Sequence, residues 1–323
     1  MKKTAFMLSI LIFFAVFSSA RAEDLFRVSV SQFVEHPALD AVLKGFKDVL
    51  QEAGLHVDYS VHNAQANTAV TAQIAQQITG EKPDLVLAIA TPSAQACAQA
   101  TKQSPRMAET PLLFSAITDP VGAGLVDNLD RPGKNITGTS DLTPVDKHVQ
   151  LIKDIHPDMT TLGVLYNSGE ANSKTLARLA REACAEMGLE VQEATAARSS
   201  EVYQAAKSLV GRSDAVYVPT DNTIVSAFES VAKICSENDL PLYAADVDSV
   251  PRGAIAALGF DYYEHGRQTG QMAVEILKNG ADPAEMPVQL QKNLKLHINL
   301  DAARKMNVQL PQDLVDSAAR VYE

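Results

Sequence analysis

Two stretches bring reactive side chains to the same point of a repeated pattern. In PDLVLAIATPSAQACAQA (83–100), an apolar run from Leu85 to Ala90 stops at Thr91-Pro92-Ser93, and a small-residue helix pattern begins at once. In DAVYVPTDNT (214–223), a similar run stops at Thr220-Asp221-Asn222. The first turn predicts proline at the start of a helix, where its missing N–H costs nothing. The free N–H groups of that turn, the helix dipole and the Thr91 and Ser93 hydroxyls make a neutral, donor-rich nest for an anion such as a carboxylate. The second turn puts the Asp221 carboxylate at the equivalent place, where it can receive an ammonium group. One turn for an anion and one for a cation describe a clamp for a zwitterion. Each turn also has a plain alternative, Thr91 or Asp221 serving as a helix N-cap.

The elements that must position these turns alternate strand with helix. Strand-like runs lie at 26–33, 54–64, 84–90, 111–117, 161–167, 188–196, 214–220, 240–246, 253–261 and 294–300. Helical patterns lie between them, among them 200–210, 222–237, 264–279 and 300–306. Alternation of this kind predicts parallel sheets with helices on both faces. EAGLHVDY and EMGLEVQE match, and each precedes one of the two turns by about thirty residues, so the chain holds two copies of one α/β unit.

In open parallel sheets ligands bind beyond the carboxyl ends of the strands. That rule adds candidates at Phe33 and His36, at Ser115, Thr118 and Asp119, at Thr139, Ser140 and Asp141, at Tyr166 and Asn167, at Asp246, and at Phe260 with Tyr262. Phe33, Tyr166, Phe260 and Tyr262 are expected to line a flat apolar pocket. Asp119 and Asp141 also suit turns and caps.

Bulk properties narrow the class. Lys2, Lys3, the apolar run 8–17 and Ala20-Arg21-Ala22 read as a secretory signal peptide over 1–22, cleaved near Ala22. Without it the formal charge of −11 becomes −14, since Lys2, Lys3 and Arg21 leave with it. An acidic chain without basic runs argues against nucleic acid and anionic membranes. Cys97, Cys184 and Cys235 cannot all pair; buried thiols are expected, with a Cys184–Cys235 bridge as the alternative. No metal-ligand spacing, cofactor motif or nucleophile elbow is present, so neither a metal site, a cofactor nor catalysis is expected.

Seven motifs carry a family resemblance: EHPALD (35–40), ATPSAQA (90–96), FSAITDPVGAGLV (114–126), NITGTSD (135–141), VLYNSGEANS (164–173), VPTDNTI (218–224) and GAIAALGFDYYEHGRQTG (253–270). With these the chain resembles the substrate-binding proteins of bacterial ABC importers, and within them the family that includes tryptophan- and tyrosine-binding members. The resemblance implies a type I periplasmic binding fold: two doubly wound parallel-sheet lobes joined by a three-segment hinge. It implies an N-terminal lobe of 23–140 plus 259–290 and a C-terminal lobe of 141–258 plus 291–323. It further implies a soluble periplasmic monomer that grips an α-amino acid, aromatic by preference, between closing lobes and delivers it to a membrane ABC permease. Thr91 and Ser93 would meet the ligand carboxylate, Asp221 its amino group, and Asp141 and Asn167 would add hydrogen bonds. A sugar ligand on the same fold, or presentation of the ligand to a membrane receptor kinase, are the alternatives.

Overall fold

A computed structural model describes residues 25–105 and 107–323. The signal-peptide segment 1–22 lies outside the described residues.

The chain opens with β1 (Leu25–Gln32), α1 (Pro37–Glu52), β2 (His56–Asn63), α2 (Thr68–Glu81), β3 (Leu85–Ile89), α3 (Thr91–Gln103), β4 (Leu112–Ile117) and β5 (Ile136–Ser140). It continues with α4 (Val145–Ile155), β6 (Thr161–Tyr166), α5 (Ala171–Glu186), β7 (Glu190–Thr195), α6 (Val202–Lys207), β8 (Ala215–Val218), α7 (Asn222–Ser226), α8 (Phe228–Glu237), β9 (Leu242–Ala244) and β10 (Ala256–Gly259). Then come α9 (Tyr262–Asn279), β11 (Gln289–Leu290), β12 (Lys295–Asn299), α10 (Leu300–Lys305), α11 (Gln312–Ser317) and β13 (Arg320–Tyr322).

The strands form two sheets, ordered β11-β5-β4-β3-β1-β2 and β13-β12-β10-β9-β8-β6-β7. Every pairing is parallel except β10 with β12. β3, β4, β5 and β8 are buried along their full length, because helices cover both faces of a parallel sheet. Each sheet has its own apolar core. The chain passes from one sheet to the other after Ser140, after Gly259 and after Leu290. This is the doubly wound α/β architecture expected from the alternation.

Three local readings need correction. The single helix expected over 222–237 is broken at Ala227 into α7 and α8, which lets Val225 face the space between the sheets while Phe228 enters the core. The helix expected at 200–210 is a 3-10 turn followed by the short α6. Beyond residue 306, α11 and β13 form where no element was expected, β13 being added to the edge of the second sheet beside β12. The cysteines are free and buried, which leaves the Cys184–Cys235 bridge unformed.

α9 packs back on α1 of the first sheet, and two glycines permit their close approach. A Cβ at Gly266 would sit 2.0 Å from the Val42 carbonyl oxygen, and one at Gly45 would sit 2.1 Å from the Tyr263 carbonyl oxygen. Any side chain there separates the helices, a typical overpacking penalty of about 1–3 kcal/mol. Gly266→Ala should therefore lower the thermal unfolding midpoint by about 3 °C or more. Gly80→Ala, with nothing within 4 Å of the added carbon, should not. Equal midpoints for the two variants in differential scanning calorimetry would remove the close-packing account.

Candidate ligand-binding site

The carboxyl ends of both sheets face a narrow crevice between the lobes, lined by residues of both. The first lobe contributes His36, Ala38, Leu39, Ala116 and Thr118; the second contributes Asn172, Thr220, Asp221, Asn222, Val225 and Asp246. Asp141 and Tyr262, which follow the first two crossings, complete the wall. Ala38 and Leu39 are in the first turn of α1, whose N-cap, His36, makes no side-chain capping bond. Pro37 has no N–H and the Asp40 N–H donates to the His36 carbonyl (3.0 Å), which leaves the Ala38 and Leu39 N–H groups without intrahelical acceptors as donors for a ligand.

Three carboxylates meet in this crevice, each held by neutral donors. Asp141 accepts from the Thr118 hydroxyl (3.0 Å) and from the Tyr262 phenol (3.0 Å). Asp246 accepts from the Ser249 N–H (2.8 Å) and its hydroxyl (2.8 Å). Asp221 accepts from the Ile224 N–H (2.7 Å), the Asn167 N–H (2.6 Å) and the Ser173 hydroxyl (2.6 Å). The capping alternative for Asp221 is thus realised. A carboxylate has about four acceptor sites, so one remains for a ligand donor. Burial raises the Asp141 carboxyl to about 6. Burial, then the charge of Glu170, raises Asp221 to about 7. Burial also raises Asp246. Conversely, burial and the Arg252 charge hold the His36 imidazole down to about 3, so it is neutral near pH 7.

Buried polar atoms are normally paired, and exceptions point to missing partners. Among the described residues, His36 Nδ1, Asn172 Oδ1 and Thr220 Oγ1 are buried without a hydrogen bond, and all three residues border the crevice.

Of the residues expected from sequence, His36, Thr118, Asp141, Thr220, Asp221, Asn222 and Asp246 meet here. Phe33, Pro92 and Asn167 line a second space between the lobes, together with Glu170. Thr91 and Ser93 line neither. Thr91 is the first residue of α3 and its buried hydroxyl has no partner, while Ser93 accepts from the Ser31 hydroxyl (3.2 Å). Ala90, not Thr91, occupies the N-cap of α3, with a strained φ of 75°. Pro92 is accordingly the second helical residue.

Ser115, Thr139 and Ser140 stand behind the wall. Ser115 and Thr139 bond each other (3.1 Å) and both bond Thr269 (2.8 and 2.7 Å). Ser140 donates to the Thr118 carbonyl (3.1 Å). Three expected residues are placed elsewhere. Asp119 accepts from the Gly122 N–H (2.8 Å) in a surface turn. The Tyr166 hydroxyl donates to Glu193 (2.9 Å), away from the crevice. Phe260 lies in the first core, stacked on His265. Of the expected aromatic pocket, only Tyr262 borders the crevice.

Sequence reasoning missed Asn172, Leu39, Val225, Glu170 and His265. Asn172 and Glu170 lie within VLYNSGEANS, one turn beyond a strand end, so a window extended into the following helix would have reached them. His265 Nε2 accepts from the Ala116 N–H (3.1 Å) and bonds the Thr139 hydroxyl (2.9 Å). It fixes Ala116 at a left-handed φ of 58°, beside the register shift in β4. No local pattern announces that contact, since His265 is 149 residues from Ala116.

The raised Asp221 carboxyl has a stability consequence. Its folded value, about 7, lies above the ordinary aspartate value of 3.8, so the folded state holds this proton more tightly than the unfolded state. The associated stability is present at low pH and is lost as pH rises to and through about 7. Asp221→Asn removes this term along with a cap. Its unfolding midpoint should therefore rise relative to the unsubstituted protein between pH 5 and pH 8. A constant difference across that range in thermal melts would show that Asp221 is not held protonated by the fold.

Comparison with known proteins establishes the family. The family model for ABC transporter substrate binding proteins matches residues 27–322. A tyrosine-binding protein of Clostridioides difficile (strain R20291) is 40% identical over 286 residues, spanning 87% of this chain and 81% of that protein. The structure of an ABC domain in complex with L-Trp from Streptococcus pneumoniae superposes with a TM-score of 0.85 at 35% identity, covering 91% of this chain and 99% of that one. The ligand-free, open structure of a substrate binding protein with adhesive properties from Clostridium difficile gives 0.67 at 39% identity, covering 92% and 99%. The L-Trp complex thus superposes better than the ligand-free, open structure despite its lower identity. The lobes have the type I periplasmic binding protein fold, and the chain belongs to the ABC transporter substrate binding protein family.

Proposed function

We propose that this protein captures an α-amino acid, aromatic by preference, in the crevice between its lobes and delivers it to a membrane ABC permease. The observation that carries the reading is the crevice itself: three carboxylates without a cation, opposite the first turn of α1, with three unpartnered polar atoms between them. An ammonium fits the carboxylates, Asp221 among them because it keeps a free acceptor site beside its three hydrogen bonds. A carboxylate fits the N-terminus of α1. This moves the anion end of the clamp from the Thr91–Ser93 turn to residues 38 and 39. Leu39, Val225 and the Tyr262 ring supply apolar surface for a side chain, and the tyrosine-binding and L-Trp-bound relatives support an aromatic one.

Hinging occurs at the three passages of chain between the sheets. The lobe limits are 23–140 with 259–290, and 141–258 with 291–323. The protein works as a periplasmic monomer after removal of residues 1–22, and does no chemistry on its ligand.

A thermal-shift screen against the standard amino acids and common sugars tests the reading. A ligand at about a thousand times its Kd adds roughly 4 kcal/mol, a shift of several degrees. Tyrosine or tryptophan should give it. A shift with a sugar and with no amino acid would replace this reading by the sugar alternative. Asp221→Asn should weaken amino-acid binding at least tenfold, about 1.4 kcal/mol. Affinity should also rise as pH is raised through about 7, because only the ionised Asp221 attracts an ammonium. Calorimetric titrations that give the same Kd for the variant, or the same Kd at pH 5.5 and pH 8, would remove Asp221 from that role.

A further inference from the structure

The charges around the crevice are unequal. Of its thirteen lining residues three are aspartates and none is lysine or arginine. The Arg252 guanidinium, which acts on His36 and Asp246, is already paired in two bonds with Glu229 (2.7 and 2.8 Å). What faces a ligand carboxylate is the first turn of α1, a fractional positive charge of roughly one half. What faces a ligand ammonium is three full carboxylates partly enclosed by protein, where charges are screened less than in water.

A second, independent feature points the same way. Asn172 is 4% exposed, and its amide nitrogen donates to the Thr220 carbonyl (3.1 Å) and to the Ser173 hydroxyl (3.3 Å). Those two bonds fix the orientation of the amide. They leave Oδ1, an acceptor, as the buried atom without a partner. An acceptor of this kind is satisfied by a donor-bearing ligand and not by a second carboxylate.

We propose that the crevice selects its ligand by the amino group and not by the carboxylate, so that arylalkyl amines are ligands of this protein and the corresponding aryl acids are not. The proposal rests on the amino-acid reading above and goes beyond it, because an amino-acid clamp of balanced strength would reject both fragments alike. Loss of the carboxylate removes only the contact with the α1 turn. Loss of the amino group leaves three buried carboxyl groups without a cation and the Asn172 oxygen without a donor, while bringing a further negative charge to them.

The test is isothermal titration of the mature protein at pH 8 with two series: L-tyrosine, tyramine and 3-(4-hydroxyphenyl)propionate, and L-tryptophan, tryptamine and indole-3-propionate. In at least one series the amine should bind within about tenfold of the amino acid, and the acid about a hundredfold or more weaker, the latter a difference of about 2.8 kcal/mol. An amine that binds where its amino acid does not would still support selection by the amino group, while overturning the amino-acid reading. An amino acid that binds while its amine does not, or an acid that binds as tightly as the amine, overturns the proposal and leaves the amino-acid reading standing. No binding by any of the six compounds overturns both.

Discussion

Negative charge held out of water is the constraint around which the two lobes are arranged. Asp141, Asp221 and Asp246 are each less than 5% exposed, yet no lysine or arginine is among the residues that line their crevice, and His36 there is neutral. Such charges persist in a protein interior only when hydrogen bonds surround them. The hydroxyls, the phenol and the backbone N–H groups that do so come from both sides of the crossings, from Thr118, Ser173, Ser249 and Tyr262. The neutral donors hold the carboxylates in place and lower their cost without cancelling their charge. What is left over is an attraction for a cation, placed where the two sheets end.

The opposite wall depends on helix packing. Gly45 and Gly266 let α9 lie directly on α1, which seats the first turn of one helix and the Tyr262 ring of the other beside the same crevice. Behind them, His265 and the Ser115, Thr139 and Thr269 hydroxyls form a buried polar network that holds Ala116 at its left-handed φ. Strain of this kind persists only where surrounding bonds over-determine it. The site is therefore built from elements close in space and far apart in sequence: α1, the end of β4, and the start of α9.

The two related strand ends have diverged in use. The Thr220-Asp221-Asn222 turn keeps extended backbone at Asp221, which leaves its carboxylate between cap and crevice. The Thr91-Pro92-Ser93 turn follows directly on the strained Ala90, and its hydroxyls are sealed within the sheet ends. Equal positions in a repeated unit gave equal neighbours in sequence and unequal exposure to the space between the lobes. The acidic turn became a wall of the crevice, while its hydroxyl-bearing counterpart became part of the first lobe's interior, with only Pro92 reaching the second space.

The alternation of apolar runs and helical stripes was enough to determine the parallel α/β class, the duplication and the strand ends at which to look. Burial patterns repeat over a few residues and are therefore legible locally. Eight of the expected residues, Tyr262 included, meet in the crevice for the same reason, since the carboxyl end of a parallel strand is a place that a linear pattern can mark. Which strand ends face the other lobe is not local information. Phe260 and Tyr262 are two residues apart and both join the first core with their rings 4.9 Å apart, yet only Tyr262 also borders the crevice. Asp119 follows Thr118 directly and closes a surface turn instead of facing Asp141. Ala38 and Leu39, marked in the sequence only as part of EHPALD, border the crevice because packing of α1 on α9 places their turn there. The types of charge available were written in the chain. Their imbalance within one enclosed space, and thus the preference for a cation, was decided only by tertiary structure, since it depends on which basic residues are turned away.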